Sequence, residues 1–214
     1  MATGKLTKLI EKTPHVSREK LRDYIGASSI GSDCIRQIWY EFQGAKSSPI
    51  PNKIRRTWEI GNRLEGMIIQ LLRDAGLDVN ESQTEYQHAE MPYFRGHCDG
   101  VIVNYNALLE IKTAKHSSFS VFVKKGVKKW FPKYYAQMQA YMGMSGIHKA
   151  YMLVLNKDTS ELWDELVQFD PETYQRLSEV AQLVYETPIP PPRISGSPIW
   201  FQCKMCRFNK ECHK

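Results

Sequence analysis

Three residues near the middle of the chain have the types and spacing for phosphoryl chemistry. The stretch Gly96–Thr113, GHCDGVIVNYNALLEIKT, sets two apolar runs on either side of a polar tip, Asn104-Tyr105-Asn106, which is the pattern of a β-hairpin. Glu110 and Lys112 are two residues apart, so in a strand they share one face while Leu109 and Ile111 share the other. If the chain reverses on Asn104-Tyr105, Val103 pairs with Asn106, and Asp99 then faces Glu110. Two carboxylates side by side repel, and a hard divalent cation with oxygen ligands removes the conflict. Such an ion polarises a phosphate and acidifies a bound water. Lys112 would orient or deprotonate that water, or steady the charge that develops on the phosphate. The predicted chemistry is phosphodiester hydrolysis. The plain alternative is a solvent-facing hairpin with an ordinary Glu–Lys pair.

A second group of residues suits a soft metal. The cysteines are Cys34, Cys98, Cys203, Cys206 and Cys212. An odd count, with no long apolar run near residue 1, argues against a disulfide framework and for a metal site in a reducing compartment. Cys203, Cys206 and Cys212 form a tight trio, Cys-x2-Cys-x5-Cys, one thiolate short of a tetrahedral site. Cys34 is the expected fourth ligand and His213 its competitor; four thiolates suit zinc as well as an iron–sulfur cluster. Cys98 reads as a small buried hydrophobe.

These residues need elements to hold them. Residues 1–25 read as a basic, partly helical lead, and Cys34 sits at the start of a helix with apolar spacing at Ile35, Ile38, Trp39 and Phe42. Residues 57–74 give the clearest helix, with Ile60, Leu64, Met67, Ile68, Leu71 and Leu72 as its buried stripe and Gly76 past its end. Glu65 is a charge beside that stripe, costly unless paired or bound to metal. Residues 83–90 alternate weakly, as an outer strand would. Ala150–Asn156 and Glu161–Phe169 read as two strands around a turn, and Pro171–Glu186 as a helix before the extended Pro188–Pro192. Between hairpin and strands, Lys124, Lys125, Lys128, Lys129 and Lys133 are interleaved with Trp130, Phe131, Tyr134 and Tyr135, a run expected to bind DNA by phosphate contact and base stacking. Gln137 and Tyr141 lie four apart on one helix face.

The 214 residues, 42% hydrophobic, bury one sizeable core, and no apolar run is long enough to cross a membrane. A net charge of +6 suits a polyanionic partner. No Gly-x-x-x-x-Gly-Lys-Ser/Thr loop is present, so no motor of that kind is expected.

GHCDG followed by LLEIK resembles the core of the PD-(D/E)XK nuclease superfamily, in its RecB-like branch. The resemblance implies an α/β restriction-endonuclease-like core, a central mixed sheet flanked by helices. It implies Mg²⁺ or Mn²⁺ held by Asp99, Glu110 and the Ile111 carbonyl, with Lys112 catalytic. Gly61 and Glu65 match the Gly-x-x-x-Glu of a preceding helix, which would add Glu65 to the metal. Gln137 and Tyr141 match a Gln-x-x-x-Tyr motif at the site, with Tyr134 and Gln139 as weaker candidates; His97, two residues before Asp99, is left open. A cysteine trio completed by Cys34 is similar to the iron–sulfur variants of that branch, which implies a [4Fe–4S] cluster, with Zn²⁺ as the alternative. The expected organisation is a single nuclease domain over 1–214. Its catalytic core spans 57–187, and residues 27–56 and 188–214 form a helical cap stapled by the cysteines. The expected activity is a DNA exonuclease, on single strands or ends, in phage recombination or CRISPR adaptation, with proteins of those systems as partners and a cytoplasmic location. The rivals are an endonuclease on branched or duplex DNA, and a DNA-binding scaffold that does not cut.

Overall fold

A long helix lies against a sheet whose central strand carries Glu110 and Lys112. The computed structural model describes residues 4–13, 22–80 and 83–214. In chain order, α1 (Lys5–Lys12) is followed by β1 (Ile25–Gly26), α2 (Ala27–Ile30) and α3 (Ile35–Phe42). The long helix α4 (Asn52–Asp74) leads to β2 (Val79–Asn80), β3 (Thr84–Gln87), β4 (Phe94–Cys98) and β5 (Gly100–Ile102). A 3-10 turn at Val103–Tyr105, with Asn106 in the left-handed region, reverses the chain into β6 (Ala107–Ala114). Three helices follow, α5 (His116–Lys125), α6 (Val127–Trp130) and α7 (Pro132–Ser145). Then come β7 (Lys149–Asn156), β8 (Leu162–Gln168), α8 (Pro171–Glu186) and the short α9 (Phe201–Met205) and α10 (Asn209–Cys212). Residues 14–21 of the expected basic lead, Arg18 and Lys20 among them, lie outside the described residues.

The main sheet has the order β2-β5-β6-β7-β8, with β6 and β7 parallel and the other neighbours antiparallel. It is mixed, as expected. Joining two parallel neighbours requires a crossover, and α5, α6 and α7 supply it. The β5–β6 register pairs Gly100 with Leu109 and Ile102 with Ala107, the pairing that sets Asp99 opposite Glu110. β6 is covered on both faces, which is why ALLEIKTA reads as nearly continuous burial. One face, with Leu109 and Ile111, packs beneath Ile68 and Ile69 of α4. The other, with Leu108 and Ala114, faces the larger core built from α5, α7 and α8.

Two expectations need correction. The first arm of the expected Gly96–Thr113 hairpin is not one strand: the chain breaks at Asp99, and β4 leaves to form a second sheet, β1-β4-β3. The break has a local cause. The Asp99 carboxylate accepts the Ile111 N–H at 2.7 Å, ending the ladder where β4 departs. The second correction concerns α4. It begins at Asn52 after Pro51, five residues early, and its buried side runs through Leu64, Ile68, Ile69 and Leu72, while Ile60, Met67 and Leu71 stand roughly half in solvent. A stripe drawn from apolar periodicity was rotated towards the solvent side by about one residue.

Residues 27–56 and 188–214 do meet. The Trp39 indole N–H donates to the Thr187 carbonyl at 2.8 Å and the Arg36 guanidinium to the Pro191 carbonyl at 3.1 Å. Ser48 N–H donates to the Arg207 carbonyl at 2.7 Å, Gln202 bonds Asp33 at 2.8 Å, and Phe208 stacks on Tyr40. Among the described residues no helix is long and apolar enough to cross a membrane.

The close approach of α2 to α7 rests on Gly31. A Cβ there would stand 2.6 Å from the Ala136 Cβ and 3.0 Å from the Lys133 Cα, part of the backbone, which cannot rotate away. Gly31→Ala should therefore cost about 1–3 kcal/mol, read as a fall in Tm of several degrees; an unchanged Tm would show that the two helices are free to separate.

Candidate active site

Glu110 projects from the middle of β6 towards α7 and is 1% exposed. Lys112, two residues on, turns to the same face, and its ammonium is hydrogen-bonded to the Glu110 Oε1. The other oxygen, Oε2, is buried and without a hydrogen-bond partner among the described residues. Asp99, at the sheet break, is also buried and is fixed by the Ile111 N–H. Glu65 reaches the same cluster from α4, held by the Gln83 amide at 3.3 Å. The two arginines of α4 nearest Glu65 in sequence are engaged elsewhere: Arg63 pairs with Glu59 and Arg73 donates to the Val79 carbonyl.

The electrostatics follow from three acids and one ammonium in a largely dry place. Burial pushes the Glu110 carboxyl up to about 7, with Asp99 and Glu65 adding to the rise and Lys112 opposing it. Asp99 is raised by burial, against Lys112 and the Ile111 N–H. Glu65 is raised by burial and by Asp99, against Gln83 and Lys112. Burial pulls Lys112 down, but the Glu110 and Asp99 carboxylates hold it above its usual range, so it stays an ammonium. One cation does not neutralise three carboxylates. A hard divalent ion would, and the orphaned Glu110 oxygen is a donor suited to it. Among the described residues no three His, Cys, Asp or Glu side chains stand as a ready-made metal group, so the acids would have to draw in on binding.

α7 closes the site from the other side. Gln137 and Tyr141 are both buried, and the Gln137 amide donates to the Tyr141 hydroxyl at 2.9 Å. Burial and then Glu110 raise the Tyr141 hydroxyl, which puts it beside the acids. Tyr141 reaches there because β4 has Gly96 beneath it: a Cβ at Gly96 would lie 2.9 Å from the Tyr141 ring. Tyr134 lies under the Lys112 ammonium, 5.3 Å from ring centre to Nζ. Gln139 belongs elsewhere, bonding the Gln168 carbonyl and the Asp170 N–H. His97 points away, with its Nε2 3.4 Å from Glu85 on β3. The sequence reading missed Gln83, whose only local signal is its place at the head of a weakly alternating strand.

The expected DNA-binding lysines scatter over α5, α6 and the start of α7. Lys124, Lys125, Lys129 and Lys133 are exposed, while Lys128 pairs with Asp170 at 3.2 Å. Of the aromatics among them Trp130 is open to solvent; Phe131 stacks on Phe122 and Tyr135 is buried. The remaining predicted group, Cys34, Cys203, Cys206 and Cys212, lines one small cavity of about 30 Å³ between α3 and the C-terminal turns. All four are free thiols, and Cys98 is buried apart from them under the Gly100 carbonyl.

A raised folded-state carboxyl makes a stability prediction with a definite sign. Glu110 ordinarily titrates near 4.5, so its ionised form costs stability above about 7 and the cost fades as pH falls towards 4.5. In EDTA at pH 8, Glu110→Gln should be more stable than wild type by on the order of 1–3 kcal/mol, with the gain shrinking by pH 5. A lower Tm for Glu110→Gln at pH 8 would mean the Lys112 pairing outweighs burial.

Comparisons with known proteins place this geometry. No curated protein matches the chain. Among solved structures it is similar to an alkaline exonuclease, LHK-Exo from Laribacter hongkongensis, at TM-score 0.61 and 17% identity over 77% of this chain and 87% of that one. A phage related exonuclease from Haemophilus somnus 129PT gives TM-score 0.57 at 16% identity, over 75% of this chain and 91% of that one. SSO0001 gives 0.57 at 18%, and there the match runs over 98% of this chain and 96% of the other. These likenesses fix the fold. A family model described as the YqaJ-like viral recombinase domain matches residues 21–148, well over half of the sequence. The chain belongs to the YqaJ-like viral recombinase domain family.

Proposed function

We propose that this chain is a metal-dependent deoxyribonuclease, a DNA exonuclease of phage-type recombination. The observation that carries the reading is the pair of buried carboxylates Asp99 and Glu110 with the half-buried Lys112 bonded to Glu110, Glu65 beside the group, and one Glu110 oxygen left without a partner among the described residues. Family membership and the exonuclease fold support it. They also favour phage recombination over CRISPR adaptation among the settings expected from the sequence.

Glu65, Asp99, Glu110 and the Ile111 carbonyl would hold Mg²⁺ or Mn²⁺. When bound, such an ion supplies Lewis acidity towards phosphate and water. The chain's own residues do the rest. Lys112, kept protonated by its acidic neighbours, steadies negative charge on the phosphate and orients the attacking water; a group held above its usual range is a poor base. The Gln137–Tyr141 pair is rigid, buried and hydrogen-bonded, and it positions the strand against the acids. The exposed lysines Lys124, Lys125, Lys129 and Lys133 meet the phosphate backbone. DNA is the substrate, and a recombination protein is the expected second partner.

The four cysteines ring one cavity, and thiolates suit a soft metal. They would hold a [4Fe–4S] cluster, with Zn²⁺ as the alternative, acting as a staple between residues 27–56 and 188–214. On this reading the whole chain is a single nuclease domain, with 57–187 as its catalytic core. The similarity to SSO0001 over 98% of the chain takes in this segment as part of the shared fold.

Lys112→Ala should fold and bind DNA while losing cleavage by ~10²-fold or more, measured with Mg²⁺ or Mn²⁺ on single strands, blunt duplexes and flaps labelled at either end. The label pattern separates exonuclease from endonuclease, and a variant cutting at the wild-type rate would sink the active-site assignment. For the cysteines, anaerobic purification with iron, sulfide and zinc analysis should find about four irons per chain, and Cys203→Ala should lose the metal and lower Tm. A wild-type protein with neither iron nor zinc would remove the staple.

A further inference from the structure

An open groove of about 770 Å³ lies between the first turns of α4 and the C-terminal segment; Glu65, Asp99, Glu110 and Ile111 do not line it, whereas Cys34 and Cys206 of the cysteine group do. Its walls carry large apolar groups in solvent: Trp58 of α4, Phe201 and Met205 of α9, at 50%, 61% and 85% exposure. Around them stand four cations, Lys133, Lys204, Arg207 and Lys210, against a single acid, Glu41. Apolar rings open to water beside a one-signed rim mark a surface that something covers. The rim calls for a polyanion, and the rings call for flat faces to stack on. A paired duplex hides its base faces, whereas an unpaired strand offers both features at every nucleotide.

The position of the groove decides between a nucleic acid and an acidic peptide. Two elements run from it into the candidate active site. On α4, Trp58 and Glu65 are two turns apart on one face, about 10 Å along the axis. On α7, Lys133 precedes Gln137 by one turn. Two rigid helices thus join the groove to the residues proposed to handle the scissile phosphate, a placement that serves a DNA strand and that a peptide partner would not require.

We propose that this groove binds the unpaired strand of the DNA whose backbone the candidate site cuts. The proposal rests on the reading of the chain as a DNA exonuclease. Phe201 and Trp58 stack on bases while Lys204 and Lys210 meet phosphates, so the C-terminal segment becomes part of the substrate track.

The test uses the full chain in EDTA, where binding is read without cutting. The triple variant Phe201→Ala, Lys204→Glu, Lys210→Glu changes three exposed side chains. By fluorescence anisotropy it should bind a labelled dT20 roughly tenfold more weakly than wild type, with a shallower salt dependence and a smaller loss on blunt duplex. Trp58→Ala, on the opposite wall, should weaken dT20 in the same sense and keeps the test valid if the triple variant melts early. Unchanged dT20 affinity in a folded variant overturns the proposal. An equal loss on duplex overturns the single-strand assignment. A glutamate-rich peptide that binds wild type through these residues, while dT20 does not, would give the groove to an acidic partner and overturn it as well. A wild type that binds dT20 through the groove yet cuts no DNA counts against the nuclease reading alone.

Discussion

Everything in this molecule is arranged around an electrostatic conflict beside the central strand. Asp99 at the sheet break, Glu110 on β6 and Glu65 on α4 converge on a single ammonium, Lys112. Burial by itself would protonate the acids and neutralise the lysine. Their mutual presence does the opposite for Lys112, which stays charged, and leaves the acids partly unsatisfied. A folded protein keeps such a cluster only when surrounding packing is strong enough to hold it. Here two separate apolar layers clamp β6 from both sides.

The clamp also explains the shape of the rest. β6 must be central, because an edge strand would let water in and dissolve the shift on Glu110. The adjacent chain must turn away at Asp99, because in a continuous strand that carboxylate would stand off the sheet face and out of line with the Ile111 N–H. α7 must come close enough for Tyr141 and Tyr134 to roof the acids, and two glycines make room: Gly31 lets α2 lie against α7, and Gly96 lets the Tyr141 ring lie over β4. Polar residues that elsewhere in the fold are fastened to backbone, such as Gln139 to Gln168 and Asp170, are here fastened to one another, as Gln137 is to Tyr141.

The parts of this arrangement that the sequence discloses are those with a local rule behind them. Strand alternation and the Asn104–Asn106 tip sufficed for the Asp99–Glu110 register, although the turn itself is a 3-10 turn ending in a left-handed Asn106. Helical spacing sufficed for the mutual reach of Gln137 and Tyr141. The failures lie where the rule needs a partner not visible along the chain. Which side of α4 is buried depends on where the sheet sits, so Ile60, Met67 and Leu71 were placed inside and are half in solvent. The departure of β4 into a second sheet depends on pairing with β1, too short to announce itself, and with β3, an outer strand whose partner its own alternation does not name. Gln83 touches Glu65 only because the chain eighteen residues further on, at the head of β3, folds back to α4.

α4 is the element through which the two ends of the molecule act on one substrate. Its last three turns pack on the sheet and deliver Glu65 to the acids, while its first turns stand free of the sheet and form one wall of the basic groove. A rigid helix fixes the distance between those two features, whereas a loop would not. The other wall of the groove is the C-terminal segment that carries three of the four gathered cysteines, bonded back to residues 33–48 through Gln202 and the Arg207 carbonyl. Loosening that segment would move Phe201, Lys204 and Lys210 relative to α4 and so change the path by which a strand arrives at Asp99 and Glu110. A DNA strand lying in the groove would therefore meet Asp99 and Glu110 at a distance set by the helix and not by a loop.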